Sequence, residues 1–67
     1  MTLVYSDTRY GDRYEISLSP CGDFLHALRF VDRIGSDPIH YDRLPDIPIA
    51  HQHEIRQRIW RLIHPIK

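Results

Sequence analysis

The feature that most constrains this 67-residue chain is a run of period-two apolar alternation from Thr2 to Ile34, punctuated by two tight turns. Leu3 and Tyr5, then Tyr14, Ile16 and Leu18, then Phe24, Leu28 and Phe30 alternate with mostly polar neighbours, which is the signature of half-buried antiparallel strands. Tyr10-Gly11 fits a two-residue hairpin loop with Arg9 and Asp12 facing each other as an ion pair, and Gly11 supplying the positive φ. In Ser19-Pro20-Cys21-Gly22-Asp23, Pro20 pre-sets φ at the second turn position and Gly22 accepts the left-handed conformation after it.

Each turn fixes a register, and a slip of one residue would invert every side chain. A Tyr10-Gly11 loop sets Tyr5 opposite Ile16 and Leu3 opposite Leu18. A Pro20-Cys21-Gly22 loop sets Leu18 opposite Phe24, Ile16 opposite His26 and Tyr14 opposite Leu28. Both place Leu3, Tyr5, Tyr14, Ile16, Leu18, Phe24, Leu28 and Phe30 on one face. The same register opposes Arg13 to Arg29, whereas a four-residue loop ending at Asp23 would shift the third strand by one. Phe24 to Ile34 also fits a helix through Phe24, Ala27, Leu28 and Val31.

From Gly35 to Ile49, Pro38, Pro45 and Pro48 interrupt ladders and helices alike, leaving only residues 39–42 for a short edge strand. Ile55, Ile59, Leu62 and Ile63 then recur at i, i+4, i+7 and i+8, which predicts a helix over about residues 50–63, closed by Pro65. Packing that helix across the sheet buries both apolar faces. The expected fold is therefore α+β: one domain, residues 1–67, in which a three- to four-stranded antiparallel β-meander (strands at about 2–8, 12–19, 24–33 and 39–42) carries a C-terminal α-helix on one face. The other sheet face is expected to show Val4, Ser6, Glu15, Ser17, Leu25, Ala27, Arg29 and Val31, half of them apolar, and so to be a candidate dimer or partner surface.

Composition narrows the function. A chain this short has a small core, which makes homodimerisation a natural source of added buried area. Cys21 is the only cysteine, so an internal disulfide and a four-cysteine zinc site are excluded, and a reducing, cytoplasmic setting is expected. Neither a signal peptide nor a membrane span is expected. Nine basic residues balance nine acidic ones. Residues 1–54 nevertheless hold five arginines against all nine acids, a balance of −4, and residues 55–67 hold Arg56, Arg58, Arg61 and Lys67 with no acid, a balance of +4.

No phosphate loop, nucleophile turn or close carboxylate pair is present, and Cys21 lies beside Asp23, which disfavours a thiolate; no enzyme activity is expected. His51 and His53 diverge by about 200° on a helix and so cannot chelate one ion, and no metal or cofactor is expected. A site around His26, His53 or His64 would announce itself as a melting temperature raised by zinc. His26 is the odd polar member of the apolar sheet face, where a hydroxyl from Tyr5 or Tyr14 could satisfy it.

The sharpest functional feature is on the helix. Trp60 falls near 140° from Ile55 on the helical wheel, on the side of His53, Arg56 and His64 and away from the core stripe. A partly exposed tryptophan beside arginine has the composition of a protein-binding hot spot. The expected partner-binding residues are Trp60, Arg56, His53, His64 and Arg61, and the expected role is a small interaction or regulatory module for a protein partner or a second copy. The alternative is a nucleic-acid binder using the basic C-terminal helix, against which stand the zero net charge and the spread of the arginines around the helix.

Overall fold

The computed structural model describes residues 1–7, 9 and 11–65. Thr8, Tyr10, Ile66 and Lys67 lie outside the described residues, and with them Tyr10's share of the expected hairpin loop and Lys67's share of the basic end. The fold is α+β. Four antiparallel strands, β1 (Thr2–Ser6), β2 (Arg13–Leu18), β3 (Phe24–Phe30) and β4 (Ile39–Tyr41), form one open sheet in the order β1-β2-β3-β4. A 3-10 turn at Leu44–Asp46 leads to helix α1 (Ile49–Ile63). No helix among the described residues is long and apolar enough to cross a membrane.

The meander and its helix follow the sequence reading, but two registers differ from it. The β1–β2 connection is wider than two residues: Asp7 N–H donates to Asp12 O (2.8 Å) and Gly11 N–H to Asp7 O (2.9 Å), so the loop closes at Asp7 and Asp12. Gly11 takes φ +78° there. Leu3 consequently faces Ile16, and Tyr5 faces Tyr14. A shift of two preserves the faces, so the apolar side stays apolar. Asp12 pairs with Arg29 rather than Arg9.

The second difference changes faces. The Pro20-Cys21-Gly22 loop forms as expected, with Ser19 N–H bonded to Asp23 O (2.8 Å), Gly22 at φ +90° and Leu18 opposite Phe24. Immediately beyond, the register slips: Ser17 faces His26, Ile16 faces Ala27 and Tyr14 faces Arg29. Leu25 is the extra residue of a β-bulge. One inserted residue inverts the parity of the rest of β3, so Ala27 and Arg29 point to the helix side while His26, Leu28 and Phe30 point to the outer side. The physical gain is plain. Arg13 escapes the like charge of Arg29 and lies over the Phe30 ring instead, its guanidinium carbon 4.6 Å from the ring centroid. The alternative of a helix over Phe24 to Ile34 is likewise excluded, since Phe24–Phe30 is strand.

Tyr5, Tyr14, Ile16, Leu18 and Ala27 form the sheet side of the core, and Ile47, Ile55 and Ile59 close it from the connector and α1. Leu62 and Ile63, expected in this stripe, are instead half exposed. The helix contributes its 51-55-59 row, an i, i+4 ridge inclined to the helix axis. Ile63 reaches past the sheet to the β2–β3 turn, where a side chain on Gly22 would collide with it. Gln52 ties the helix to its connector by donating to Leu44 O (3.1 Å) and Ile47 O (3.4 Å).

Candidate functional site

Two places bear on the question of function. One is buried. His51 occupies the first position of the buried helical row, one turn before Ile55, and its ring lies 5% exposed between β1 and β2. Tyr14 Oη is 2.7 Å from His51 Nδ1, and His51 Nε2 is 2.5 Å from Asp7 Oδ2. Burial pushes the Tyr14 phenol well above its ordinary pKa, with the nearby Arg29 guanidinium opposing. The hydroxyl therefore keeps its proton and donates it to Nδ1, and Nε2–H donates to Asp7.

A hydroxyl, an imidazole and a carboxylate in a line have the connectivity of a nucleophilic triad, but Tyr14 is fully buried and no substrate reaches its oxygen. The arrangement instead satisfies two buried polar groups, Tyr14 and His51, with a part-buried carboxylate, and pins the first turn of α1 to the β1–β2 loop. Its expected signature is an alkaline one. Below pH about 10 the tyrosine is protonated in folded and unfolded chains alike, and above it the unfolded chain ionises first because the folded pKa is raised. Stability should then fall by up to about 1.4 kcal/mol per pH unit from this group as pH rises above about 10. Tyr14→Phe should make that fall shallower in urea titrations at pH 8 and pH 11. An unchanged slope would show that other groups govern alkaline unfolding.

Sequence reasoning assigned the satisfied core histidine to His26, whereas the structure assigns it to His51. The β-bulge turned His26 outward, and His51 replaced it as the partner of Tyr14. The available signal was the spacing of His51, four residues before Ile55 and eight before Ile59, which makes it a member of the apolar row.

The second place is on the surface. Trp60 is 55% exposed, and with Leu44, Arg56, Ile59 and Ile63 it lines an open groove of about 290 Å³ between α1 and the 3-10 turn. Its walls are mostly apolar, and Arg56 supplies a cation to the lining. His64 ends the helix, its N–H bonded to Trp60 O (2.8 Å) and its ring 4.9 Å from the indole. Of the five expected partner-binding residues, Trp60, Arg56 and His64 are thus brought together. His53 is exposed and its Nε2 lies 3.1 Å from Gln57 Nε2, away from the groove lining. Arg61 is exposed in the last turn, rotated about 100° from Trp60. Arg58, on the flank, lies 4.0 Å from Glu54 and over the Tyr5 ring, which is the helix support expected of that i, i+4 pair. Leu44 is the groove residue that sequence reasoning missed, because the proline-rich connector gave no periodicity to place it.

Cys21 is exposed at the turn tip as a free thiol, and no group of three or more His, Cys, Asp or Glu among the described residues is placed to hold a metal ion. Comparison of the chain with protein-family models, with curated proteins and with solved structures finds no match.

Proposed function

We propose that this protein is a non-enzymatic binding module whose α1 groove receives an acidic, apolar-anchored segment of a partner protein. The observation that carries this reading is the half-exposed Trp60 lining an apolar groove together with Leu44, Ile59, Ile63 and Arg56. Exposed indole beside arginine at a concave apolar surface is where interface energy concentrates. Charge selects the occupant: the helix from residue 55 onward carries basic residues and no acid, so an apolar anchor flanked by Asp or Glu complements it. A nucleic acid draws on the same cations and could stack on the same indole.

The test is selection of peptides from a random library on the immobilised protein, followed by titration of dye-labelled peptides monitored by fluorescence anisotropy, a readout that survives loss of Trp60, the only tryptophan. The reading expects recovered peptides that combine acidic residues with aromatic or aliphatic anchors. Trp60→Ala should weaken them by about 30-fold or more, the loss typical of a hot spot, with the far-UV circular dichroism unchanged. Peptides bound equally well by Trp60→Ala would remove the groove from consideration. A single-stranded oligonucleotide that binds more tightly than any peptide, with affinity falling steeply as salt rises, would transfer the site to nucleic acid.

A further inference from the structure

The outer sheet face carries two histidines that the groove does not use. His26 on β3 and His40 on β4 both point outward: Leu28 faces His40 across the ladder, and Ala27 and Tyr41, on the helix side, face each other. Among the described residues, His26 Nδ1 is the one buried side-chain nitrogen or oxygen without a hydrogen-bond partner. An imidazole nitrogen held from water and left unpaired is a cost to the fold unless something binds it. The His40 ring lies beside it, centroids 5.4 Å apart and planes inclined at 37°. On the far side, His40 Nδ1 is 3.3 Å from Asp42 Oδ1. That contact favours a proton on Nδ1, which leaves the Nε2 lone pair for another partner.

We propose that His26 and His40 form a two-imidazole site for a divalent transition-metal ion of zinc type, with Asp42 orienting His40 and water completing the coordination. The spacing supports this. With zinc about 2.1 Å from each ring nitrogen, each ring centroid stands about 3.2 Å from the ion, and a tetrahedral angle separates two such centroids by about 5.2 Å. The observed separation is 5.4 Å. Coordination through Nδ1 would give the orphaned His26 nitrogen its partner. Imidazole nitrogen suits zinc, copper and nickel, whereas calcium and magnesium prefer oxygen. Two protein ligands do not make a closed structural cage, so the ion is exchangeable and the fold does not depend on it.

The experiment is a zinc chloride titration of the intact chain carrying Cys21→Ser, which removes the lone thiol as a competing ligand, followed by ¹⁵N spectra of the histidine rings. The rings of His26 and His40 should shift together along one saturation curve. Binding should weaken by at least about ten-fold in His26→Gln and in His40→Gln, and by about ten-fold in Asp42→Asn, the loss typical of an outer carboxylate partner. Both histidines lie on the outer face, so these variants are expected to keep the far-UV spectrum of the parent. Should one of them unfold, the ring spectra of the parent decide alone. Shifts confined to His53 and His64, an affinity unchanged in the His26→Gln/His40→Gln chain, or no shift at millimolar zinc would each overturn the site.

Discussion

Replacing Arg29 by methionine is expected to cost about 3–5 kcal/mol, a large share of the stability available to a chain this short. Arg29 is on the helix side of β3 because of the bulge at Leu25, and there its Nε donates to Asp12 Oδ2 (2.9 Å). Its Nη2 also bonds that oxygen, and its Nη1 lies 3.4 Å from the Tyr41 hydroxyl. Burial alone would lower the guanidinium's pKa, but the hydrogen bonds to Asp12 and Tyr41 outweigh it and hold the group above its ordinary range. Asp12 is only 3% exposed. Methionine would fill similar space yet strand that carboxylate without its cation, and breaking one side of a buried pair is far costlier than replacing both. The double variant Asp12→Leu/Arg29→Met should therefore recover most of the loss. Urea denaturation of the two singles and the double, read as a thermodynamic cycle, measures the coupling. A cost below about 1 kcal/mol for Arg29→Met would place the pair among solvent-screened surface bridges.

Ile55→Ala should be nearly as damaging, at about 2–5 kcal/mol, because Ile55 is fully buried where α1 crosses the sheet and the cavity left behind has rigid strands on one side. A chain of this size has only about 3–10 kcal/mol of total stability at ordinary per-residue values. Leu62→Ala makes the informative comparison. Leu62 lies seven residues further along and belongs to the same apparent stripe, yet it is 44% exposed, so its truncation should cost under about 1 kcal/mol. Equal losses at the two positions in thermal melts would mean that the helix is rotated from the orientation described.

The contrast between Ile55 and Leu62 also marks how far the sequence could be read. Alternation at period two, turn residues at fixed places and a proline-bounded helical stretch were enough for three strands in meander order, a short fourth as an option, and the helix, since each is a local property. The Gly22 turn even set the Leu18–Phe24 pair correctly. What failed was parity beyond Leu25. Whether a bulge forms depends on non-local gains, here the pairing of Arg29 with Asp12 and the separation of Arg29 from Arg13. The displaced β1–β2 loop did no such harm, because an even shift returns every side chain to its own side. Helical angles grouped Trp60 with Arg56, His64 and His53; the first three lie together, and His53, two turns back along the axis, does not. The groove under Trp60 was not, because Leu44 comes from a connector whose path is set by Ile47 burying itself in the core.

Each strand of the meander is joined to its neighbour in the sequence, and that has a kinetic meaning. The β1–β2 and β2–β3 hairpins form by closing short loops, at small entropic cost and on a short search. Helix α1 has no such help. It must find the sheet across the proline-rich connector, and His51 meets Asp7 at a separation of 44 residues. Assembly should thus run from the hairpins to the helix, with the Tyr14–His51–Asp7 chain as the latch that closes last and opens first.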